Sequence, residues 1–183
     1  IEKVTAEMRR NAKAVNFGIV YGLSDFGLSR NTGLSLEEAR EFIKTYFDLY
    51  QGVKIFRDKV IEEARTRGYV KTLFRRKRFI PDLRSTDKKR RNLSERIAVN
   101  TIIQGSAADL IKVAMNNIHA QLKKGSYEAK MLLQIHDELL FEVHESKLAL
   151  TRFMVQEEMS HAVTLNIPIK VNIKTGKNWM ETE

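Results

Sequence analysis

Between Met8 and Gly22, four side chains recur at every fourth residue: Arg9, Lys13, Phe17 and Tyr21. That spacing is the helical period, and at about 100° per residue the four drift slowly around one side of a helix. Met8, Ala12, Val15 and Ile19 fall in a narrow arc on the other side and read as a core stripe. Gly22 ends the helix, as glycine does just past a last turn. The outward stripe is unusual because two cations lead into two aromatic rings. One reading is a surface face with two stray aromatics. The other follows the order of the residues, which suits a ligand with phosphates at one end and a flat base at the other.

Charge narrows the class of partner. The 183 residues carry a formal charge of +9, and 43% of them are hydrophobic, enough for a sizeable core in one domain or slightly more. From Arg65 to Arg96 there are 13 Lys/Arg against 3 Asp/Glu, while from Ile97 onward basic and acidic residues nearly balance. The basic balance favours polyanionic partners such as nucleic acid or nucleotides, or an anionic membrane surface. With no cysteine, disulfides and thiolate metal sites are excluded. No run approaches the roughly 18 apolar residues of a membrane span, and no signal-peptide pattern opens the chain. The expectation is a cytoplasmic chain with no membrane partner. It starts Ile-Glu-Lys directly before a well-patterned helix, which points to a cut through a longer protein.

Taken in order, Leu23 to Leu34 reads as turns with one short helix. Ser35-Leu36-Glu37-Glu38 is a capping box opening a helix with Ala39, Phe42, Ile43, Tyr46, Phe47 and Tyr50 on its apolar face. The next helix turns Phe56, Val60, Ile61 and Ala64 inward and ends at Gly68. Tyr69–Phe74 and Phe79–Pro81 flank Arg75-Arg76-Lys77-Arg78 and predict a hairpin with a cationic tip, followed by a second basic cluster at Lys88–Arg91. Such runs are either solvated faces or phosphate-backbone contacts. A helical region then runs to about Lys124, with an interruption expected at Gly105 and a fresh cap at Ser106 and Asp109. Its first part places Arg96, Asn100 and Gln104 on one face. That row is either a polar surface stripe or a set of hydrogen-bonding groups for a nucleic-acid groove, where minor-groove acceptors vary little with base pair. Ala107, Leu110, Ile111, Ala114, Ile118 and Leu122 supply the buried side of the next helix.

The segment Lys130–His144 sets two apolar strand-like runs around His136-Asp137-Glu138. A charged triplet between buried strands belongs at a turn on the sheet rim. This turn lacks the usual Gly or Asn, so its side chains read as selected for a task. That task is either Mg²⁺ binding by hard carboxylate oxygens or simple solvation; His136 and His144 lack the further ligands that zinc requires. An amphipathic helix is expected around Leu150, Phe153, Met154 and Met159, then a strand at Pro168–Ile173, with Gly176 and Trp179 closing the chain. The order of elements is α+β.

Together these segments resemble the C-terminal part of a family A DNA polymerase over essentially the whole chain. Arg9-x-x-x-Lys13-x-x-x-Phe17-x-x-x-Tyr21-Gly22 matches the family's fingers helix (motif B), and His136-Asp137-Glu138 matches motif C of the palm. The resemblance implies a helical fingers subdomain plus part of an antiparallel-sheet palm. Residues 1–68 would be the fingers helices, and 69–183 the basic hairpin, long helices and palm strands. It implies that Arg9 and Lys13 bind the triphosphate of a deoxynucleotide, with Lys13 donating a proton to the leaving pyrophosphate. Phe17 would pack on the sugar and base, and a Phe there would disfavour dideoxynucleotides. Tyr21 and Gly22 would meet the templating base, His136 would help place the primer end, and Asp137 with Glu138 nearby would hold Mg²⁺. Arg96, Asn100 and Gln104 would lie along primer–template DNA.

Two departures from the family stand out. Arg75 occupies a position where relatives usually have glycine. More consequentially, no Asp-Tyr-Ser-Gln-Ile-Glu-like motif A segment occurs, and thumb and exonuclease regions are missing too. Two-metal phosphoryl transfer needs carboxylates from two places, holding ions roughly 4 Å apart, and Asp25 and Asp109 are poor substitutes. The expectation is a polymerase fragment inactive alone, whose partner is the part carrying motif A and the thumb. The alternatives are a non-catalytic basic nucleic-acid-binding module and one subunit of a split polymerase.

Overall fold

A computed structural model describes residues 4–182. The chain divides into two compact units, Ile1–Gly105 and Ser106–Glu183. The first contains α1 (Ala6–Val20), α2 (Asp25–Thr32), α3 (Leu36–Leu49), α4 (Gln51–Arg67) and a hairpin of β1 (Tyr69–Lys71) and β2 (Lys77–Phe79). Helix α5 (Lys88–Lys124) crosses the boundary between units. The second unit continues with β3 (Ala129–Ile135), β4 (Glu138–Val143) and α6 (Leu148–Ser160). Each hairpin is an antiparallel two-stranded sheet, so the α+β class holds, with helix predominating.

Local chemistry accounts for most helix ends. Thr5 Oγ1 accepts from Met8 N–H at 3.1 Å and Ser24 Oγ from Gly27 N–H at 3.2 Å, opening α1 and α2. The capping box at α3 forms in full: Ser35 Oγ accepts from Glu38 N–H, and the Glu38 carboxylate accepts from the Ser35 N–H at 2.8 Å and hydroxyl at 2.7 Å. The Ser35 hydroxyl, and then its N–H, hold the Glu38 carboxyl below its ordinary value. Gly68, at φ +76°, ends α4.

The first core gathers Val60 and Ala64 of α4, Val70 and Ile80 of the hairpin arms, Leu83, and Ala98 and Val99 of α5. Alanine at the contact faces lets helices and hairpin approach closely. The second gathers Ile118 of α5 with Met154 and Val155 of α6, covered by Leu122, Met131, Leu139 and Phe141.

Several expectations from periodicity fail. Among the described residues of α1 only Ile19 is fully buried; Val15 is half-buried, and Met8 and Ala12 are exposed. The packing that buries α1 gathers at its C-terminal end, where Leu23 folds back so tightly that a Cβ on Gly18 would lie 2.8 Å from it. Phe42, Tyr50, Leu150 and Phe153 are also exposed, as is Ala107. The first hairpin is shorter than expected, with Leu73 and Phe74 in its turn. The strand expected at Pro168–Ile173 does not form. Its alternation survives, with Ile169, Val171 and Ile173 half-buried and Lys170 and Asn172 exposed, but among the described residues no strand pairs with it. A period-2 pattern creates a face, whereas a strand also needs a ladder partner.

Gly105 does not interrupt α5, and Ser106 and Asp109 lie buried within the helix rather than at a cap. The glycine serves an approach: a Cβ there would sit 2.8 Å from the Thr72 methyl of the hairpin turn. Alanine ordinarily stabilises a helix by about 1 kcal/mol over glycine. Gly52→Ala, at an open site in α4, is therefore expected to raise the thermal midpoint. Gly105→Ala is expected to lower it, because overpacking against the stiff, buried Thr72 costs about 1–3 kcal/mol. A midpoint that rises for both would contradict this account.

The capping box gives a second expectation. Because the Glu38 carboxyl is held low when folded, its stabilising contribution is complete above the ordinary value of 4.5 and is lost as pH falls through the lowered one. Ser35→Ala should cost about 1 kcal/mol near neutrality and flatten the acid limb of a stability–pH curve.

Candidate functional site

Lys13, Phe17 and Tyr21 form one continuous stripe along α1 and its C-cap. Arg9 and Lys13 are exposed. The Lys13 ammonium lies 5.8 Å from the Phe17 ring centroid, and the Phe17 and Tyr21 rings stack at 6.0 Å with planes 17° apart. Phe17 remains 48% exposed, a large aromatic surface still open to a ligand. Tyr21 sits half-buried at the helix C-cap.

The stop after Tyr21 has a defined cause. Gly22 adopts φ +89°, its N–H donates to Ile19 O at 3.0 Å, and Leu23 N–H reaches Gly18 O at 2.7 Å. These paired bonds make a Schellman closure, which needs a left-handed residue at this point. A Cβ on Gly22 would come within 3.3 Å of Arg96 Cγ. The end of α1 is thereby brought against the first member of the polar row on α5.

Tyr21, Gly22 and Arg96 line the same open cleft of about 340 Å³, whose walls also carry Asp25, Arg40 and Arg57. Arg40 and Asp25 form an ion pair at 3.3 Å. Along α5, Arg96 and Gln104 are exposed and Asn100 is half-buried. Asn100 Oδ1 is buried without a hydrogen-bond partner among the described residues, a cost that a row chosen for packing alone would not carry.

In the second unit, Ile135 pairs with Glu138, so His136 and Asp137 are the two residues of a tight hairpin turn. His136 has φ +55°, the left-handed backbone such a turn demands and which a non-glycine residue adopts at a cost. The turn is braced by Gln134, whose side-chain N–H donates to His136 O at 3.0 Å. His136, Asp137 and Glu138 are all exposed. The expectation of buried flanking strands is corrected: Leu132 and Leu133 are about half exposed, and a bulge leaves Leu132 outside the pairing. Among the described residues β3 and β4 pair only with each other, so the outer edges of the hairpin have no ladder partner.

Among the described residues no group of three or more His, Asp or Glu could enclose a metal ion. Asp137 and Glu138 alone still fit Mg²⁺ in part, since that ion is commonly held by one or two carboxylates, waters and substrate phosphates. Gln134 was missed by sequence reasoning, although its position two residues before the His-Asp-Glu turn was the available signal. The cleft residues Asp25, Arg40 and Arg57 left no comparable trace.

The pattern described as DNA polymerase family A matches residues 1–181. Similar chains include DNA polymerase I of Streptococcus pneumoniae, 48% identical over 182 residues, and that of Caldicellulosiruptor bescii, 49% identical over 183. Each match covers all of this chain and 21% and 22% of the respective relative. The chain thus spans about a fifth of the length of these relatives. Among solved structures, the polymerase domain of Pol1 from M. smegmatis, in complex with DNA primer-template and dNTP, superposes with a TM-score of 0.94 at 41% identity. That superposition covers 99% of this chain and 32% of the other. The chain belongs to DNA polymerase family A. No helix among the described residues is long and apolar enough to cross a membrane.

The Gly22 closure is expected to be intolerant of any side chain. Gly22→Ala meets both a left-handed backbone and the Arg96 stem, and should lower stability by at least about 1 kcal/mol, read as a shifted denaturant midpoint with unchanged slope.

Proposed function

We propose that this chain supplies the fingers and part of the palm of a DNA-directed DNA polymerase that adds deoxynucleotides to a primer 3′ end. The reading takes residues 1–68 as fingers helices and 69–183 as the hairpin, long helix and palm strands, acting cytoplasmically on nucleoid DNA. The observation that carries it is the continuous Lys13–Phe17–Tyr21 stripe, which ends at Gly22 against Arg96. Cations, then rings, then a polar row are the sequence of surfaces that a triphosphate, a base and a primed duplex require.

In this reading Arg9 and Lys13 neutralise the triphosphate, and Arg9 offers a forked donor set suited to phosphate oxygens. Phe17 covers the sugar and base with its open ring face. Tyr21 and Gly22 border the space for the templating base. Arg96, Asn100 and Gln104 follow the minor groove without reading sequence. His136 helps position the primer end, held by the turn that Gln134 braces. As the primer hydroxyl gives up its proton to solvent and its oxygen bonds to the α-phosphorus, the bond from that phosphorus to the oxygen bridging to the β-phosphate breaks, and Lys13 donates a proton to the departing pyrophosphate. Asp137, with Glu138 beside it, would hold Mg²⁺, which when bound supplies Lewis acidity at the reacting phosphate.

One carboxylate pair at one turn is half of what two-metal chemistry requires, and the 183 residues contain no motif A segment. Primer extension by this chain alone is therefore expected to be absent; template-dependent extension would overturn that expectation. Adding a family A segment that carries the motif A aspartate and the thumb in trans should restore extension. Asp137→Ala should then abolish it, by about 10³-fold or more, while duplex binding persists. Extension that survives Asp137→Ala would remove this turn from the chemistry.

A further inference from the structure

We propose that Arg75 is a contact for a backbone phosphodiester of the duplex that the α5 row follows. The proposal rests on the polymerase reading, because it takes the Arg96–Gln104 face to meet nucleic acid. It starts from strain. Arg75 has φ +63°, a region that side chains enter at a cost and that glycine or asparagine enters more readily.

The turn imposes that conformation. Arg75 N–H donates to Thr72 O at 2.9 Å, Arg76 N–H to Thr72 Oγ1 at 3.2 Å, and Thr72 N–H to Arg76 O at 3.0 Å. Thr72 is itself buried against Gly105, so the tip cannot relax by shifting.

The neighbouring cations are already engaged. Arg76 Nη2 donates to Gly105 O at 3.3 Å and Arg78 Nη1 to Thr101 Oγ1 at 3.0 Å. Lys71 and Lys77 stand 5.8 Å and 4.9 Å from the centre of the Tyr69 ring. Arg75 is exposed, and among the described residues its guanidinium has no hydrogen bond or carboxylate partner. Its position is nonetheless set, because Thr101 and Gly105 fasten the hairpin to α5 beside Gln104 at the end of the polar row. An unengaged guanidinium carried on a fixed turn beside a groove-following face is suited to a phosphodiester, which accepts two parallel N–H bonds from arginine. Such a contact sets register and affinity rather than sequence preference.

The test measures binding of this chain to a fluorescently labelled primed DNA duplex across 50–200 mM salt as a planned range, with thermal midpoints alongside. For Arg75→Gly and Arg75→Asn the slope of log affinity against log salt should fall by about 0.9, with severalfold weaker binding at the lowest salt. Arg75→Lys should keep the slope. The Arg75→Gly midpoint should rise as strain is relieved, so weaker binding cannot come from unfolding. Unchanged affinity and slope in Arg75→Gly would overturn the proposal while leaving the polymerase reading intact. Failure of the unaltered chain to bind the duplex at all would overturn both.

Discussion

At Gly105 the hairpin turn and α5 approach more closely than a side chain permits: the position a Cβ would occupy is 2.8 Å from the Thr72 methyl. Two guanidinium bonds hold that approach, one to the Gly105 carbonyl and one to Thr101. The first core then closes beneath it, with Val70 and Ile80 from the hairpin arms meeting Ala98 and Val99 of α5. The basic hairpin and the polar row are consequently parts of one rigid surface within the first unit. Gly22 does the same for the Lys13–Phe17–Tyr21 stripe, letting the end of α1 reach Arg96. Two glycines, one inside a helix and one past the end of another, bring three separate stretches of sequence into register.

Non-glycine residues with left-handed backbone occur at Arg75, Glu128 and His136. Glu128 has a structural explanation: its carbonyl accepts from His144 N–H at 3.0 Å and its carboxylate pairs with Lys147 at 3.8 Å, closing the open end of the β3–β4 hairpin. Arg75 and His136 sit instead at the tips of the two hairpins. Glycine there would lower the strain and remove the side chain. In the proposed reading, keeping a cation at one tip and an imidazole beside a carboxylate at the other exchanges local stability for chemistry presented at a rigid turn. Gln134 illustrates the support such a turn needs, since its amide fastens the His136 carbonyl from the adjoining strand.

Exposed apolar surface fits a chain that spans about a fifth of its relatives' length. Met8, Phe153, Leu132 and Leu133 all carry patterns of buried residues yet face outward. The segment 168–173 has the alternation of a strand without a ladder. Periodicity specifies which side of an element is apolar; it does not provide the neighbour that covers that side.

The family, the α+β class, the helix stops at Gly22 and Gly68, the capping box at Ser35 and the tight turn at His136–Asp137 were all legible in the amino-acid sequence. Each depends on interactions a few residues apart, or on a motif whose spacing carries its meaning. The role of Gly105, the cleft walls Asp25, Arg40 and Arg57, the brace from Gln134 and the actual burial of each stripe were not. Gly105 reads locally as a helix breaker because glycine weakens a helix, and only the Thr72 methyl from 33 residues earlier shows what its missing side chain makes room for. Short-range hydrogen bonding and backbone sterics act within a segment and can be read from it. Close approach, burial and the free or engaged state of an arginine depend on what the rest of the fold brings alongside, and these the tertiary structure alone decided.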